Sequence, residues 1–390
     1  MSSLDIALLV ITGLVAISGY IEGFVLGACA TLGLLAGAAV GVYGVPRVLD
    51  NFSPSVEVSF AALVLVVLLA SIGRTVGALL GSKLRNRISW KPVKAVDALG
   101  GAALAAVSVL VVSWVLGVAV SGARIPSVTS AVRGSQVLAK VDEALPGGAD
   151  RALQAFNDVV NTDLFPRFLD PFVPERIRET QPPDGTIARQ SAVKDAYSRI
   201  AKITGVANCS RGLEGSGFVY APQRVMTNAH VVAGVSNPKV EVNGRSYSGT
   251  VVLFDPSVDI AVLYVPELDT KPLSFDPEGK ADAAAVVLGY PENGPFDSEP
   301  ARIRSEERLR GPDIYGDKTV TRRAFSIWAQ VRPGNSGGPL LSSKGKVYGV
   351  VFAASVEDNR TGYVLTAEQV ADDAATGARA TQEVSTRSCT

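Results

Sequence analysis

The sequence holds a single histidine, three cysteines and no surplus of either charge: 37 Lys/Arg stand against 37 Asp/Glu in 390 residues. Each scarcity excludes something. Cys29, Cys209 and Cys389 fall at spacings that match no zinc or CxxC pattern, so neither a metal nor a cofactor is expected. Zero net charge, without a basic run in the polar part, argues against nucleic acid as a partner. Charge is also scarce at the start of the chain. Residues 1–122 carry seven Lys/Arg and five Asp/Glu, against 30 and 32 in the remaining 268, and this asymmetry lies behind a mean hydropathy of +0.25.

What fills the first part is four uncharged stretches, 6–21, 23–46, 58–73 and 98–123. At about 1.5 Å per residue they reach most or all of a hydrocarbon layer about 30 Å thick. Gly33, Gly37, Gly41, Gly100 and Gly101 fit helices that pack closely in lipid. A signal peptide followed by buried core helices is the competing reading, but four such runs without a basic start favour four spans. Arg74, Lys83, Arg85, Arg87, Lys91 and Lys94 crowd the loop between spans three and four, whereas the loop before it has Arg47 against Asp50 and Glu57. Positive charge stays in the cytoplasm, so everything after residue 123 is expected outside an inner (plasma) membrane crossed several times, with the bilayer itself as a partner. Asp5, Glu22, Arg74 and Asp97 sit near span ends and read as snorkelling groups, and Cys29 as an inert thiol in an apolar run. The segments Gly19-Tyr20-Ile21-Glu22-Gly23-Phe24 and Asp97-Ala98-Leu99-Gly100-Gly101 resemble the colicin V production family of membrane domains.

Residues 124–190 are polar and mixed, and read as a partly helical linker. Val137, Leu138, Val141 and Leu145 fall at helical spacing, as do Leu153, Phe156 and Val160. Pro-Gly-Gly at 146–148, Pro171, Pro174 and the turn Pro182-Pro183-Asp184-Gly185 break what lies around them.

The domain at 191–390 changes pattern. Short apolar, β-branched runs recur at 217–220, 240–242, 250–254, 260–265, 284–288, 324–331, 346–352 and 363–366, punctuated by Gly, Pro, Asn or Asp. Many short strands predict an all-β barrel or sandwich. Three motifs lie on that framework: Thr227-Asn228-Ala229-His230-Val231-Val232, Asp255-Pro256-Ser257-Val258-Asp259-Ile260 and Gly334-Asn335-Ser336-Gly337-Gly338-Pro339. Taken singly, each is a structural histidine, a turn acid and a glycine loop. In the order His, Asp, Ser they resemble the trypsin-like (chymotrypsin-fold) serine proteases of the bacterial HtrA style, over roughly 198–370. Gly215-Ser216-Gly217-Phe218 matches the strand before the catalytic histidine in that group.

The resemblance implies an all-β double-barrel chymotrypsin fold behind a four-helix transmembrane domain (1–123), and a triad of His230, Asp259 and Ser336. A serine hydroxyl needs a neutral imidazole to take its proton, and a carboxylate to hold the imidazole's tautomer. Turnover is therefore expected to fall in acid. The second carboxylate of its motif, Asp259, matches the family's triad acid, and Asp255 is the rival. Amides of Gly334 and Ser336 match the oxyanion hole. By the same pattern Gln330 lies near the base of the S1 pocket, and Phe352, Ala353 and Ala354 pair with extended substrate as an added strand. Asn335 replaces the aspartate that digestive proteases pair with a new N-terminus, so an exposed N-terminus is not expected to be needed. With 54 residues after Ser336 in this sequence, needed to finish the second barrel, a PDZ domain is not expected. In an oxidising compartment Cys209 and Cys389 are expected to form a disulfide. The two resemblances together are those of mycobacterial membrane-anchored periplasmic serine proteases tied to acid resistance, acting on envelope proteins, with cell-wall hydrolases as one candidate class. Two rival readings are a membrane channel or secretion factor with a β-barrel sensor domain, and an inactive protease-fold scaffold.

Overall fold

The computed structural model describes residues 2–49, 56–121, 126–145, 172–209 and 211–389. It divides into two compact units, Met1–Gly117 with Ser135–Leu145, and Val118–Gly134 with Pro146–Thr390.

The first unit is built on four helices long and apolar enough to cross a bilayer: α1 (Ser3–Glu22), α2 (Phe24–Leu49), α3 (Val56–Arg85) and α4 (Lys91–Ser121). Glycine sets the spacing between them. A Cβ added at Gly33 would lie 2.2 Å from the Gly73 carbonyl oxygen, and one at Gly77 would lie 2.1 Å from that of Cys29, so α2 and α3 touch backbone to backbone. Gly19 of α1 meets Gly101 of α4 in the same way. The basic stretch expected as a loop is mostly helix, since α3 continues to Arg85 and α4 starts at Lys91. Asp97 is buried rather than snorkelling. It accepts the Val25 amide at 2.8 Å and pairs with Arg85 at 2.9 Å, which caps the start of α2. Asp5 is also buried, taking the Ser135 hydroxyl at 2.6 Å and the Val137 amide at 3.2 Å. Those groups belong to the first turn of α6 (Gln136–Ala144), the helix foreseen from Val137, Leu138 and Val141. The second foreseen helix, at Leu153, Phe156 and Val160, lies outside the described residues. Cys29 is free and half-buried.

The second unit begins with α5 (Pro126–Arg133) and, after α7 (Ser191–Ala196), becomes β-rich. Seven antiparallel strands, β1 (Ile200–Val206), β2 (Gly212–Ala221), β3 (Arg224–Thr227), β4 (Lys239–Val242), β5 (Arg245–Ser248), β6 (Thr250–Asp255) and β7 (Ile260–Tyr264), form one sheet in the order β5-β4-β1-β2-β3-β7-β6. Six more, β8 (Ala284–Gly289), β9 (Asp297–Pro312), β10 (Thr319–Trp328), β11 (Pro339–Ser342), β12 (Val347–Ala354) and β13 (Thr361–Thr366), close into a barrel. These strands bury one core inside each sheet, around Ile203, Val219 and Leu263 in the first and Val287, Phe325 and Val364 in the second. A third apolar cluster runs between the sheets and includes Phe218, Met226, Ile260, Leu288, Leu341 and Phe352. Burial of each such side chain is worth about 1.5–3 kcal/mol, so this seam fixes how the sheets face each other.

The chain then returns to the first sheet. Arg224 donates to the carbonyls of Gly377 and Ala380 at 3.0 and 2.7 Å, which holds α9 (Ala371–Arg379). Cys389 forms a disulfide with Cys209, just beyond β1, across a sequence separation of 180 residues.

Candidate active site

His230 lies on a single helical turn, α8 (Ala229–Val232), that follows directly from β3. Its Nδ1 is 2.8 Å from Asp259 Oδ2, and its backbone amide donates to Asp259 Oδ1 at 3.0 Å. An ionised carboxylate can only accept, so Nδ1 carries the hydrogen and Nε2 is left as the acceptor. Asp259 is fully buried, while the imidazole keeps 11% of its surface exposed.

The backbone at Asp259 has φ +70°, a left-handed conformation that a non-glycine residue seldom adopts. The turn before it supports that geometry. Asp255 Oδ1 accepts the amides of Ser257 and Val258 at 2.7 and 3.1 Å, and the Asp255 carbonyl accepts the Asp259 amide at 2.9 Å. The rival acid is thus the cap of the turn that aims the other. Asn228 adds a bond from Nδ2 to the Asp259 carbonyl at 2.8 Å. From the barrel side, the buried guanidinium of Arg322 donates to the carbonyls of Ser257 and Pro312 at 2.8 and 3.1 Å. Burial pulls the Arg322 basicity down, and the charges of Asp259, Asp313 and Asp255 oppose that pull.

Ser336 sits in the glycine turn before β11 and is 3% exposed. The turn is locked to the first sheet: the Ser216 amide donates to the Ser336 carbonyl at 2.8 Å. A Cβ on Gly337 (φ +83°) would fall 2.2 Å from the Ser216 carbonyl and 2.3 Å from Thr227 Oγ1, so only glycine lets the turn approach the strand that carries α8. The three motifs, 29 to 106 residues apart in the chain, are thereby brought to one seam.

The peptide planes around Gly334 (φ +87°) are held from both sides. The Ser216 hydroxyl, fully buried, donates to the Gly334 carbonyl at 2.6 Å and accepts the Tyr290 amide at 2.8 Å. The Glu292 amide donates to the Pro333 carbonyl at 2.7 Å. In a trans peptide the N–H points opposite to the C=O, so the Gly334 amide faces away from Glu292. Asn335, Gly337 and Gly338 amides are each taken by a backbone carbonyl, whereas among the described residues none takes those of Gly334 and Ser336. Those are two donors held ready for an acceptor from outside. Asn335, next to the serine, is 2% exposed.

Gln330 is exposed and lines a surface cavity of about 410 Å³ together with Glu299, Trp328, Asn359 and Arg360. Burial raises the Glu299 carboxyl above its usual range, partly offset by a bond from the Gln330 amide. Phe352 is fully buried in the core, so its side chain is out of reach of a ligand. β12 pairs with β11 only as far as Val350, while Ala353 and Ala354 keep β13 as partner strand, opposite Tyr363 and Gly362. Ser216 and Asn228 stand in motifs legible from sequence but without a role there, whereas Arg322 and Glu292 carry no such signal. A serine between two glycines in a buried strand was the one available signal.

Comparison with known proteins agrees with this architecture. Residues 215–350 match the trypsin-like peptidase domain, and residues 4–146 match colicin V production protein. The chain belongs to the trypsin-like serine proteases, in the form that carries a colicin V production-type membrane domain. Over nearly its whole length it is similar to "Serine protease Rv3671c" of Mycobacterium tuberculosis (strain ATCC 25618 / H37Rv), with 41% identity across 99% of this chain and 98% of the relative. The crystal structure of the Rv3671c protease in its active form superposes with a TM-score of 0.54 at 47% identity, covering 57% of this chain and 98% of that one. "Putative serine protease HhoB" of Synechocystis is 34% identical over 171 residues, 41% of this chain and 39% of its own.

Proposed function

We propose that this protease is a membrane-anchored, extracytoplasmic endopeptidase working by a Ser-His-Asp acyl-enzyme mechanism on proteins of the cell envelope. The observation that carries the reading is the double hold of Asp259 on His230, beside a glycine turn that presents Ser336 and two unengaged amides. His230 Nε2 takes the Ser336 proton as the hydroxyl oxygen attacks a peptide carbonyl. Asp259 stabilises the imidazolium, and the Gly334 and Ser336 amides receive the negative oxygen. The imidazolium then protonates the leaving amine. Water repeats the sequence on the acyl-enzyme and frees the serine. Substrate lies along β12, with the backbone of 352–354 pairing to it and Gln330 near the S1 base. No carboxylate occupies the Gln330 position, which disfavours strict Arg/Lys specificity.

The division into a membrane domain (1–123), a linker (124–190) and a peptidase domain (191–390) belongs to this proposal, as do the outward face of the peptidase and a role in stress or acid resistance. The excess of Lys and Arg around Arg74–Lys94 supports the sidedness. Labelling of the full chain by a fluorophosphonate, lost in Ser336→Ala, tests the mechanism. A Ser336→Ala chain that labels as well as wild type would sink it, and one that rescues a deletion strain in full would shift the biological role to the membrane unit.

A further inference from the structure

Behind the end of β12 lies a buried charge cluster that the mechanism does not use. Arg133, the last residue of α5, has 4% of its side chain exposed, and its Nε lies 2.9 Å from Glu357 Oε1. Its Nη2 donates to the Val173 carbonyl at 2.6 Å. Glu357 Oε1 also accepts the Glu175 amide at 3.2 Å. Glu175 in turn accepts the Val356 amide at 3.2 Å on one oxygen and the Tyr363 hydroxyl at 2.7 Å on the other. Tyr363 is 1% exposed and stands opposite Ala353 in the β12–β13 ladder. The loop that carries Glu357 runs from Ser355, whose hydroxyl accepts the Glu357 and Asp358 amides, to Asn359 and Arg360, which share a cavity with Gln330.

Two partly buried carboxylates and one buried guanidinium are therefore linked together, joined to both ends of the segment proposed to bind substrate. We propose that Arg133 is a positioning residue for substrate: it holds Glu175 and Glu357 together as an ionised pair, and through them sets the shape of the 353–360 segment. This rests on the reading of 352–354 and Gln330 as substrate-binding. It means that the peptidase site extends beyond the trypsin-like match, to the helix that follows the last apolar helix in the chain.

The sign of the effect follows from the charges. Burial and the charge of Glu175 raise the Glu357 carboxyl, and the Glu175 backbone amide and Arg133 pull it down. Beside the pair stand Tyr363, which burial keeps neutral and which Glu307 also faces, and the Asp358 carboxylate with Arg304 and Arg360 at 3.5 Å. Without Arg133 the two carboxylates repel unless one takes a proton, so the loop keeps its shape only in acid.

The test uses the full chain in lipid nanodiscs, with an internally quenched peptide that the wild type selects from a random library. In Arg133→Gln, KM should rise about tenfold near pH 7.5 with kcat within about twofold, and should return toward the wild-type value near pH 5. Adding Glu357→Gln removes one of the opposed charges and should restore KM near pH 7.5 to within about threefold. Arg133→Lys, which keeps the cation, should stay close to wild type and covers the case in which the glutamine variant does not fold. An unchanged KM in Arg133→Gln, a loss that pH and Glu357→Gln both leave in place, or a fall in melting temperature alone overturns the proposal. Fluorophosphonate labelling separates the two readings: if the wild type is not labelled, the acyl-enzyme mechanism falls, and if all variants are labelled with equal KM, only this inference does.

Discussion

Both oxygens of Asp259 are spent on the same residue: Oδ2 on the His230 ring nitrogen at 2.8 Å, Oδ1 on the His230 backbone amide at 3.0 Å. The carboxylate thus fixes ring and main chain at once, so the imidazole can neither rotate about its side-chain bonds nor slide along the seam without breaking a charge-assisted bond. Asp255, four residues earlier, only shapes the turn.

Asp259→Asn should therefore lower kcat by about 10⁴, the usual result of presenting the wrong imidazole tautomer. Asp255→Asn should cost about 1 kcal/mol of stability through its weakened turn bonds and leave most of the rate. Steady-state kinetics on one peptide with both variants decides it, and the reverse ranking would overturn the assignment.

Ser216→Ala removes the hydroxyl that bridges the Tyr290 amide and the Gly334 carbonyl. The Gly334 N–H stays but its plane is freed, so the loss should approach, without exceeding, the 10²–10³-fold of deleting an oxyanion donor, about 10–100-fold in kcat. A peptide aldehyde, which forms a tetrahedral adduct, should weaken in parallel, while the affinity of a cleaved product peptide holds. Equal weakening of both would mean that Ser216 supports the cleft as a whole.

Asp373, on α9, has its carboxyl pushed up to about 7 by burial and by the charges of Asp255 and Asp372, and one of its oxygens is buried without a partner. Between the unfolded value of 3.8 and about 7 the folded chain holds a proton that the unfolded chain has released. Stability from this group is complete below the lower value and is lost as pH rises through the upper one. Asp373→Asn should melt higher than wild type at alkaline pH, and the gap should close in acid. Parallel melting curves for the two proteins across the range would remove Asp373 from the account.

The Cys209–Cys389 bond closes a loop of 180 residues. In the chain-entropy treatment a loop of that length is worth about 5 kcal/mol. Reduction, or Cys389→Ser, should lower the denaturation midpoint of the peptidase unit and free the tail held by Tyr315, whose hydroxyl donates to the carbonyls of Thr386 and Ser388 at 3.2 and 3.0 Å. Midpoints that coincide with and without reductant would show the bond to be dispensable.

Much of this was legible in the sequence because its signals are local. Four apolar runs, the His, Asp and Ser motifs, and eight strand-like stretches each announce themselves within about two dozen residues or fewer. β9 does not, although it is the longest strand. From Asp297 to Pro312 it carries eight charged side chains, which its neighbours make tolerable: Arg304 is buried against the Arg178 carbonyl at 2.7 Å and over the Trp328 ring. Residues 174–189, linker-like in composition, lie along that strand, with Thr180 bonded to Asp282 at 2.6 Å and the Pro182 carbonyl accepting from Arg302 at 3.1 Å. Ser216, Arg322 and Glu292 act through partners about 40 to 120 residues away, a separation that no periodicity reports. The buried Asp5 and Asp97 were misread for the same reason, since their partners come from other helices.

His230 and Asp259 travel with one sheet and Ser336 with the other, and Phe218, Leu288 and Phe352 pack in the cluster between the two. Under the proposed mechanism the reacting groups are thus split between two bodies, and chemistry needs those bodies docked. Warming that loosens the seam by an ångström should silence the enzyme while every strand is still in place, so activity should disappear at a lower temperature than the circular dichroism of the sheets.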